Sequence, residues 1–534
     1  MRSILSLTAL ATVLVLAPAL TRPAQAATNG SSSAMADAAA REDWKTVRQM
    51  LAQKADVNAP QVDGATALHW AAHYDDLAAV KDLLAAGANA KTANRYGVTP
   101  LTEACVNGDE DVIALLLKAG ADPNAPQGEG ETPLMTASKT GNPAAIKLLL
   151  DSGAQINTTE PWRGQTALMW AAAEGHADAV KLLIAKGATV DAKSKVFDFT
   201  GLKPKPGSVG MNFPRGGFTP LLFAARDGQT EVLKILIAAG ADVNLPDPDG
   251  TSALLMAVIN FHFDIAGYLL EHGADANASD SRGRAPLYAI VDMRDMDVTN
   301  RPSPKVDDVL NPVSLAKLLL EHKAAPDALL LKAITARAVL DGSDAVMGPG
   351  STPFLRAAHS SDMEMMKLLL AHGANPKLTT KSGVNALMLA AGNGWRDGRT
   401  RGTEEESVAA IKFLMGLGLD IKAAASNGDT ALHGAAGRGA DLVAQALVDL
   451  GAEINVQDKT GRTPHDVANA VGASLAGVRS PHESTVALLA KLGGVPGQTK
   501  AQAAAAPPPP PADAVNTFKV LRIPAEPKPT SSNQ

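Results

Sequence analysis

Residues 66–97 read TALHWAAHYDDLAAVKDLLAAGANAKTANRYG, and residues 98–130 say nearly the same with other surface residues, VTPLTEACVNGDEDVIALLLKAGADPNAPQGEG. A threonine hydroxyl just ahead of a helix accepts a hydrogen bond from a backbone N–H that would otherwise have no partner. Thr66 and Thr99 therefore each predict a helix start, and Pro100 falls at the first helical position, where its missing N–H costs nothing. A second apolar cluster follows, VKDLLAAG in one stretch and VIALLLKAG in the other, whose leucines three and four apart form one buried helical stripe. Gly87 and Gly120 end that second helix as left-handed caps. The Asp, Asn, Pro and Gly beyond them reverse the chain. The unit is helix, turn, helix, hairpin-like loop.

The unit recurs along the chain. The glycines ahead of each Thr-rich motif are Gly64, Gly97, Gly130, Gly164, Gly217, Gly250, Gly283, Gly350, Gly383, Gly428 and Gly461, and most of their spacings are 33 or 34. Behind them stand TALHWAA, TPLTEAC, TPLMTAS, TALMWAA, TPLLFAA, SALLMAV, APLYAIV, TPFLRAA, NALMLAA, TALHGAA and TPHDVAN. These motifs resemble the ankyrin-repeat family, whose mark is T-P-L-H-x-A in a 33-residue unit. The resemblance covers about residues 34–494 and implies an all-α fold: an ankyrin-repeat solenoid of helix-turn-helix units with hairpin-like inter-repeat loops, about eleven to twelve repeats with several insertions. Two short helices cannot bury their apolar faces alone, so neighbouring units have to stack.

The ends read differently. Residues 1–26 carry Arg2, the apolar run ILSLTALATVLVLAPAL and the triplet Ala24, Gln25, Ala26, which reads as a secretory signal peptide with an A-x-A cleavage site. The expectation is an exported chain, periplasmic or extracellular, beginning near Ala27 and not inserted in a membrane after cleavage. Residues 27–63 form an N-terminal capping repeat without the Thr-Pro motif, and residues 64–494 hold the array. In TPHDVAN, His465 and Asp466 replace the usual Leu and His, and a polar outer face is expected to end the stack there. Residues 495–534 hold the run AQAAAAPPPPPADAV and are expected to be a disordered Pro-rich linker and tail. Within the tail, Phe518, Val520, Leu521 and Ile523 make a short strand-like peptide that could dock on the array or on a partner.

The period breaks where the spacing grows to 53, 67 and 45, with insertions near 194–216, 294–313, 326–349, 396–407 and 472–484. The first contains Phe197, Phe199 and Phe213, and is expected to fold back on the array. The stretch WRDGRTRGTEEE runs from basic to acidic and reads as a solvated loop. Lys323 stands where sibling repeats have the capping glycine.

Composition and motifs narrow the chemistry. A formal net charge of −6 without clustering argues against nucleic acid as partner. Cys105 is the single cysteine and sits where siblings carry alanine, so it reads as a small buried apolar residue. His69 and His433 occupy the TPLH position, where the resemblance implies an imidazole bridging the backbone and the neighbouring repeat. His272, His322 and His372 end second helices, where the helix dipole favours them. The stretch HESTV at 482–486 has Val486 where a zinc-protease helix needs a second histidine, and the sequence contains no nucleophile elbow, P-loop or dinucleotide fingerprint. No catalytic residue, metal or cofactor is implied, and the chain reads as a non-enzyme.

What varies between units is then the surface on offer. Ankyrin repeats bind proteins on a concave face made by loop tips and first-helix ends. The resemblance assigns that role here to His73, Tyr74, Arg95, Tyr96, Trp162, Arg163, Gln165, Glu174, Arg226, Asp227 and Asn260. Tyr, Trp and Arg are frequent energetic anchors of interfaces. Trp70, Trp170, Phe261, His262 and Phe263 are expected to serve packing. The primary expectation is a non-catalytic scaffold for a protein partner. One alternative is an accessory subunit of a periplasmic enzyme system, whose 194–216 loop closes over a small ligand with Lys203, Lys205 and Arg215; another is a secreted effector acting on host proteins.

Overall fold

The computed structural model describes residues 33–199, 214–294, 308–334, 346–395, 400–470 and 480–497. The expected signal peptide, the tail from 498 onward, Lys203, Lys205 and Phe213 lie outside the described residues, as do the central parts of the insertions. The chain divides into two units, residues 1–155 and 156–534.

Unit one is built from four helix pairs among the described residues. They are α1 (Ala34–Ala39) with α2 (Trp44–Ala52), α3 (Ala67–His73) with α4 (Leu77–Ala85), α5 (Pro100–Asn107) with α6 (Glu110–Lys118), and α7 (Pro133–Thr140) with α8 (Pro143–Asp151). First helices pack on first helices and second helices on second, which gives two layers. The seam between the layers is the leucine stripe: Val80, Leu83, Ile113, Leu116, Ile146 and Leu149 are fully buried, each worth about 1.5–3 kcal/mol of transfer free energy. The hydroxyls of Thr99 and Thr132 accept from the backbone N–H of Thr102 and Met135 as expected. Second helices have caps of their own, Asp43, Asp76, Asp109 and Asn142, whose side chains accept the first free N–H groups.

Adjacent pairs are clasped by asparagines beyond the glycine caps. Asn58 donates to the Gly87 carbonyl at 3.2 Å and accepts from the Asn89 N–H at 2.7 Å. Asn124 does the same for Gly153 and Gln155, at 3.0 and 2.8 Å. Such a clasp satisfies both polar groups exposed where the second helix ends.

Unit two repeats the scheme with eight helix pairs among its described residues. They are α9 (Ala167–Glu174) with α10 (Ala177–Ala185), α11 (Pro220–Asp227) with α12 (Thr230–Ala238), α13 (Ala253–Ile259) with α14 (Phe263–Glu271), and α15 (Pro286–Arg294) with α16 (Pro312–Glu321). Next come the pairs α17 (Pro353–His359) with α18 (Met363–Ala371) and α19 (Ala386–Ala391) with α20 (Glu404–Gly416). The last two are α21 (Ala431–Arg438) with α22 (Asp441–Asp449) and α23 (Pro464–Ala468) with α24 (Glu483–Lys491). Asn157, Asn244, Asn277 and Asn455 provide the clasp here. Lys323 takes the left-handed conformation of the glycine it replaces, with φ +64°. None of the described helices is long and apolar enough to cross a membrane.

Several features depart from the sequence reading. The acidic end of WRDGRTRGTEEE, read as a solvated loop, is the first turn of α20: Glu404, Glu405 and Glu406 are helical and Thr403 caps them by accepting from the Glu406 N–H. The base of the 194–216 insertion is a short antiparallel ribbon, β1 (Val196–Phe197) against β2 (Arg215–Gly216), with Val196 opposite Gly216. Its Phe197 ring lies 6.4 Å from that of Trp162, so the described part of the loop does turn back onto the array. Asp466, expected on a polar outer face, is buried instead. Its Oδ2 accepts from the Thr463 N–H at 3.0 Å and from the Gly497 N–H at 2.7 Å, so it takes over the capping task that histidine performs in sibling repeats.

Candidate functional site

The two TPLH histidines are structural. Nδ1 of His69 accepts from the Thr66 N–H at 3.0 Å, and Nε2 donates to the Val98 carbonyl of the next repeat at 3.1 Å. His433 does the same with Thr430 and Arg462. A backbone N–H can only donate and a carbonyl only accept, so both rings are neutral with the proton on Nε2. Burial pushes both imidazoles below their ordinary pKa. Nδ1 of His272 and His372 lies within hydrogen-bond reach of a carbonyl one turn back, at 2.8 and 3.0 Å. Cys105 is fully buried, and burial pushes its thiol up to about 12. Among the described residues no group of three or more His, Cys, Asp or Glu could hold a metal ion.

The residues assigned to binding fall in two places in unit one. At the end of α3, His73 and Tyr74 join Trp70 in an aromatic cluster, with ring centroids 5.1–6.0 Å apart. Nδ1 of His73 lies 3.0 Å from a Glu103 carboxylate oxygen. Tyr74 donates its hydroxyl to the Ala40 carbonyl at 2.9 Å, so the polar end of that ring belongs to the stack. Trp70 donates Nε1–H to Gln61, whose amide in turn donates to Asp37. The hydrogen bonds from Gln61 and Ser33 hold the Asp37 carboxyl below its usual range. At the tip between α4 and α5, Tyr96 is 60% exposed. The Arg95 guanidinium lies 5.5 Å from the Tyr96 ring centroid, while the Arg95 backbone N–H donates to Asp63 O in the tip alongside.

In unit two, Trp162 is 63% exposed at its tip with Arg163 beside it, while the Arg163 carbonyl accepts from the Lys195 N–H. Gln165, expected at this surface, is buried. The turn is organised around the Glu160 carboxylate, which collects the N–H groups of Arg163 and Gln165 and draws the Gln165 backbone inward. Glu174 ends α9 and is exposed. Arg226 and Asp227 end α11 paired with each other, at 2.7 and 2.8 Å, and the Arg226 guanidinium lies over Phe223. Asn260 donates to the Met256 carbonyl one turn back. Phe261 and Phe263 are buried, as a packing role requires.

A feature absent from the sequence reading lies on the other edge of unit two, where first and second helices turn. A cavity of about 960 Å³ opens there between the 261–263, 293–294, 308–312, 360–364 and 401–406 segments. Phe261, Phe263, Met293, Leu310 and Met363 make its apolar lining. Arg294 crosses it to Asp362 at 2.5 Å and Glu364 at 2.8 Å, and Arg401 donates to the Arg294 carbonyl. Burial works against the Arg294 charge, but the hydrogen bonds and charges of Asp362 and Glu364 outweigh it and raise its pKa. The sequence signal was the pattern of insertions: the uninterrupted pair α17–α18 stands between two pairs with lengthened turns.

Comparison with known proteins follows the same lines. A model of ankyrin repeats in three copies matches residues 35–127, 120–194 and 203–291, and a single ankyrin-repeat model matches 350–381 and 427–459. The mouse protein "Fibronectin type 3 and ankyrin repeat domains 1 protein" is 49% identical over 47 residues, 9% of this chain and 14% of that relative, so the chain spans only a small part of it. The crystal structure of the human ASB11 ankyrin repeat domain is 27% identical, with a TM-score of 0.38 over 46% of this chain and 99% of that one.

Proposed function

This chain belongs to the ankyrin-repeat family, and we propose that it is a non-catalytic scaffold whose tips and first-helix ends hold a partner protein. Ankyrin repeats are generally protein–protein interaction modules and typically not enzymes. The observation that carries the reading is the contrast between Tyr96 and Trp162, large rings 60 and 63% exposed, and the other described aromatic residues, which are buried or half-buried. Large rings on backbone-tethered tips offer contact area at little cost in conformational entropy, because the tip backbone is already fixed. Arg95 and Arg163 are the immediate chain neighbours of these rings and, like His73 and Glu174 at first-helix ends, are exposed. Gln165 is left out of the surface because it is buried.

The test compares the wild-type chain with a Tyr96→Ala, Trp162→Ala variant as bait in an extract of the source cell, followed by titration of any retained protein. The proposal requires a partner bound by the wild type and bound at least tenfold more weakly by the variant, which is about 1.4 kcal/mol. Equal binding would contradict it. The pattern of residues 2–26 further supports export to the periplasm or beyond. Fractionation together with an amino terminus at Ala27 in the exported form tests that; a chain retained in the cytoplasm with Met1 intact would refute it.

A further inference from the structure

We propose that the turn-side cavity of unit two is the docking site for the chain's own C-terminal segment, residues 518–523, FKVLRI. The cavity is built by the array. The short turn at 360–362 forms one side, and the described ends of the two lengthened turns, Arg294 with residues 308–312 and residues 401–406, line the rest. Leu310 and Met363, the half-exposed members of its apolar lining, ask for apolar side chains, with Phe261, Phe263 and Met293 buried behind them. Its charged lining is Asp308, Asp362, Glu364 and Glu406 against Arg294 and Arg401, an excess of two carboxylates among the described residues. Glu364 keeps a side chain that is 64% exposed although it pairs with Arg294, so one face of its carboxylate remains open to a further cation.

The segment supplies the complement. Phe518, Val520, Leu521 and Ile523 flank Lys519 and Arg522, two positive charges in six residues. Its tether is long enough. Gly497 is fastened to Asp466 at the last helix pair, and residues 498–517 intervene before Phe518. A Pro-rich stretch of that length spans on the order of 60 Å. The α17–α18 pair lies three helix pairs back along the same unit, roughly 30 Å at ordinary helix spacings. A tethered ligand sees an effective concentration of about 1 mM, so a contact with a Kd near 100 µM would be occupied about tenfold more often than empty.

The experiment uses the full chain. Zero-length carbodiimide coupling, read by mass spectrometry on an equal mixture of ¹⁵N-labelled and unlabelled chains, should join Lys519 to Glu364, Glu406 or Asp308 within one chain. Amide hydrogen exchange at residues 260–264 and 360–364 should quicken about tenfold in a Lys519→Glu, Arg522→Glu chain, as occupancy is lost. These substitutions lie beyond the described repeats and leave the helix pairs untouched. Coupling of Lys519 spread over the acidic residues of the array would overturn the proposal, as would unchanged exchange in the variant. Coupling only between labelled and unlabelled chains would assign the segment to a second copy and equally overturn docking within one chain.

Discussion

Replacing His69 with alanine tests how one repeat is joined to the next. The ring satisfies the Thr66 N–H and the Val98 carbonyl together, one in its own repeat and one in the neighbour. Thr66 is 2% exposed, so its orphaned N–H has no route to water, whereas Val98 is half-buried and its carbonyl can be hydrated. A buried group left without its partner costs about 1–3 kcal/mol, and the vacated ring volume adds a cavity cost. Destabilisation of about 3 kcal/mol at pH 7.5 is expected, measured by urea unfolding followed by circular dichroism and by hydrogen exchange at residues 66–105. The pH dependence carries its own sign. Burial lowers the folded pKa of His69 below the ordinary histidine value of about 6.5. The unfolded state therefore binds the proton more readily, and the stability from the neutral ring is fully present above pH 6.5 and lost as pH falls through the folded value. Wild type should weaken between pH 7.5 and 5, and the alanine variant should weaken less, so the gap between them narrows in acid. A destabilisation under about 0.5 kcal/mol, or one identical at both pH values, would refute the role given to the ring.

Further outcomes follow from the same contacts. Asn124→Ala should lower stability by about 1–2 kcal/mol through loss of its two clasp bonds, a modest figure because both groups can be hydrated; thermal melting measures it. Gly250→Ala should cost more than Gly240→Ala, since both glycines have φ near +88° but only the first would bring a methyl group to 2.9 Å from the Ser279 carbonyl. About 1–2 kcal/mol is expected at Gly240 from backbone conformation alone, and equal losses at the two sites would refute the crowding argument. Cys105 should resist thiol-reactive dye at pH 8 until the chain is unfolded, because burial withholds the thiolate; rapid labelling of the folded protein would contradict this.

Local chemistry is what the sequence discloses best. Thr99 before Pro100 and the left-handed Gly120 each act within a few residues, and a spacing of 33 or 34 carries them from one repeat to the next. The caps of the second helices were equally readable, since Asp43, Asp76 and Asp109 stand just ahead of an apolar stripe. Asp466 was legible as standing in the place of the histidine, but its burial depends on its bond to the Gly497 N–H, 31 residues further on, which no local pattern reveals. Gln165 sits one residue from an exposed turn, and only the pull of the Glu160 carboxylate on the backbone shows that it is buried. The cavity gathers Phe261, Asp308, Asp362 and Arg401 from four successive helix pairs. No periodicity within one repeat reveals such a gathering, and only the alternation of long and short turns hinted at it.

The central claim is a division of labour: recurring residues hold the stack, and the tip side chains are free to bind. It is tested most directly by changing Arg95, Tyr96, Trp162 and Arg163 to alanine in one chain, then measuring its melting temperature and its affinity for a partner identified with the wild type. The account predicts a Tm within about 2 °C of wild type, a loss of under about 1 kcal/mol, together with loss of the partner. A Tm lowered by more than about 5 °C, or a partner held as tightly as before, would contradict it.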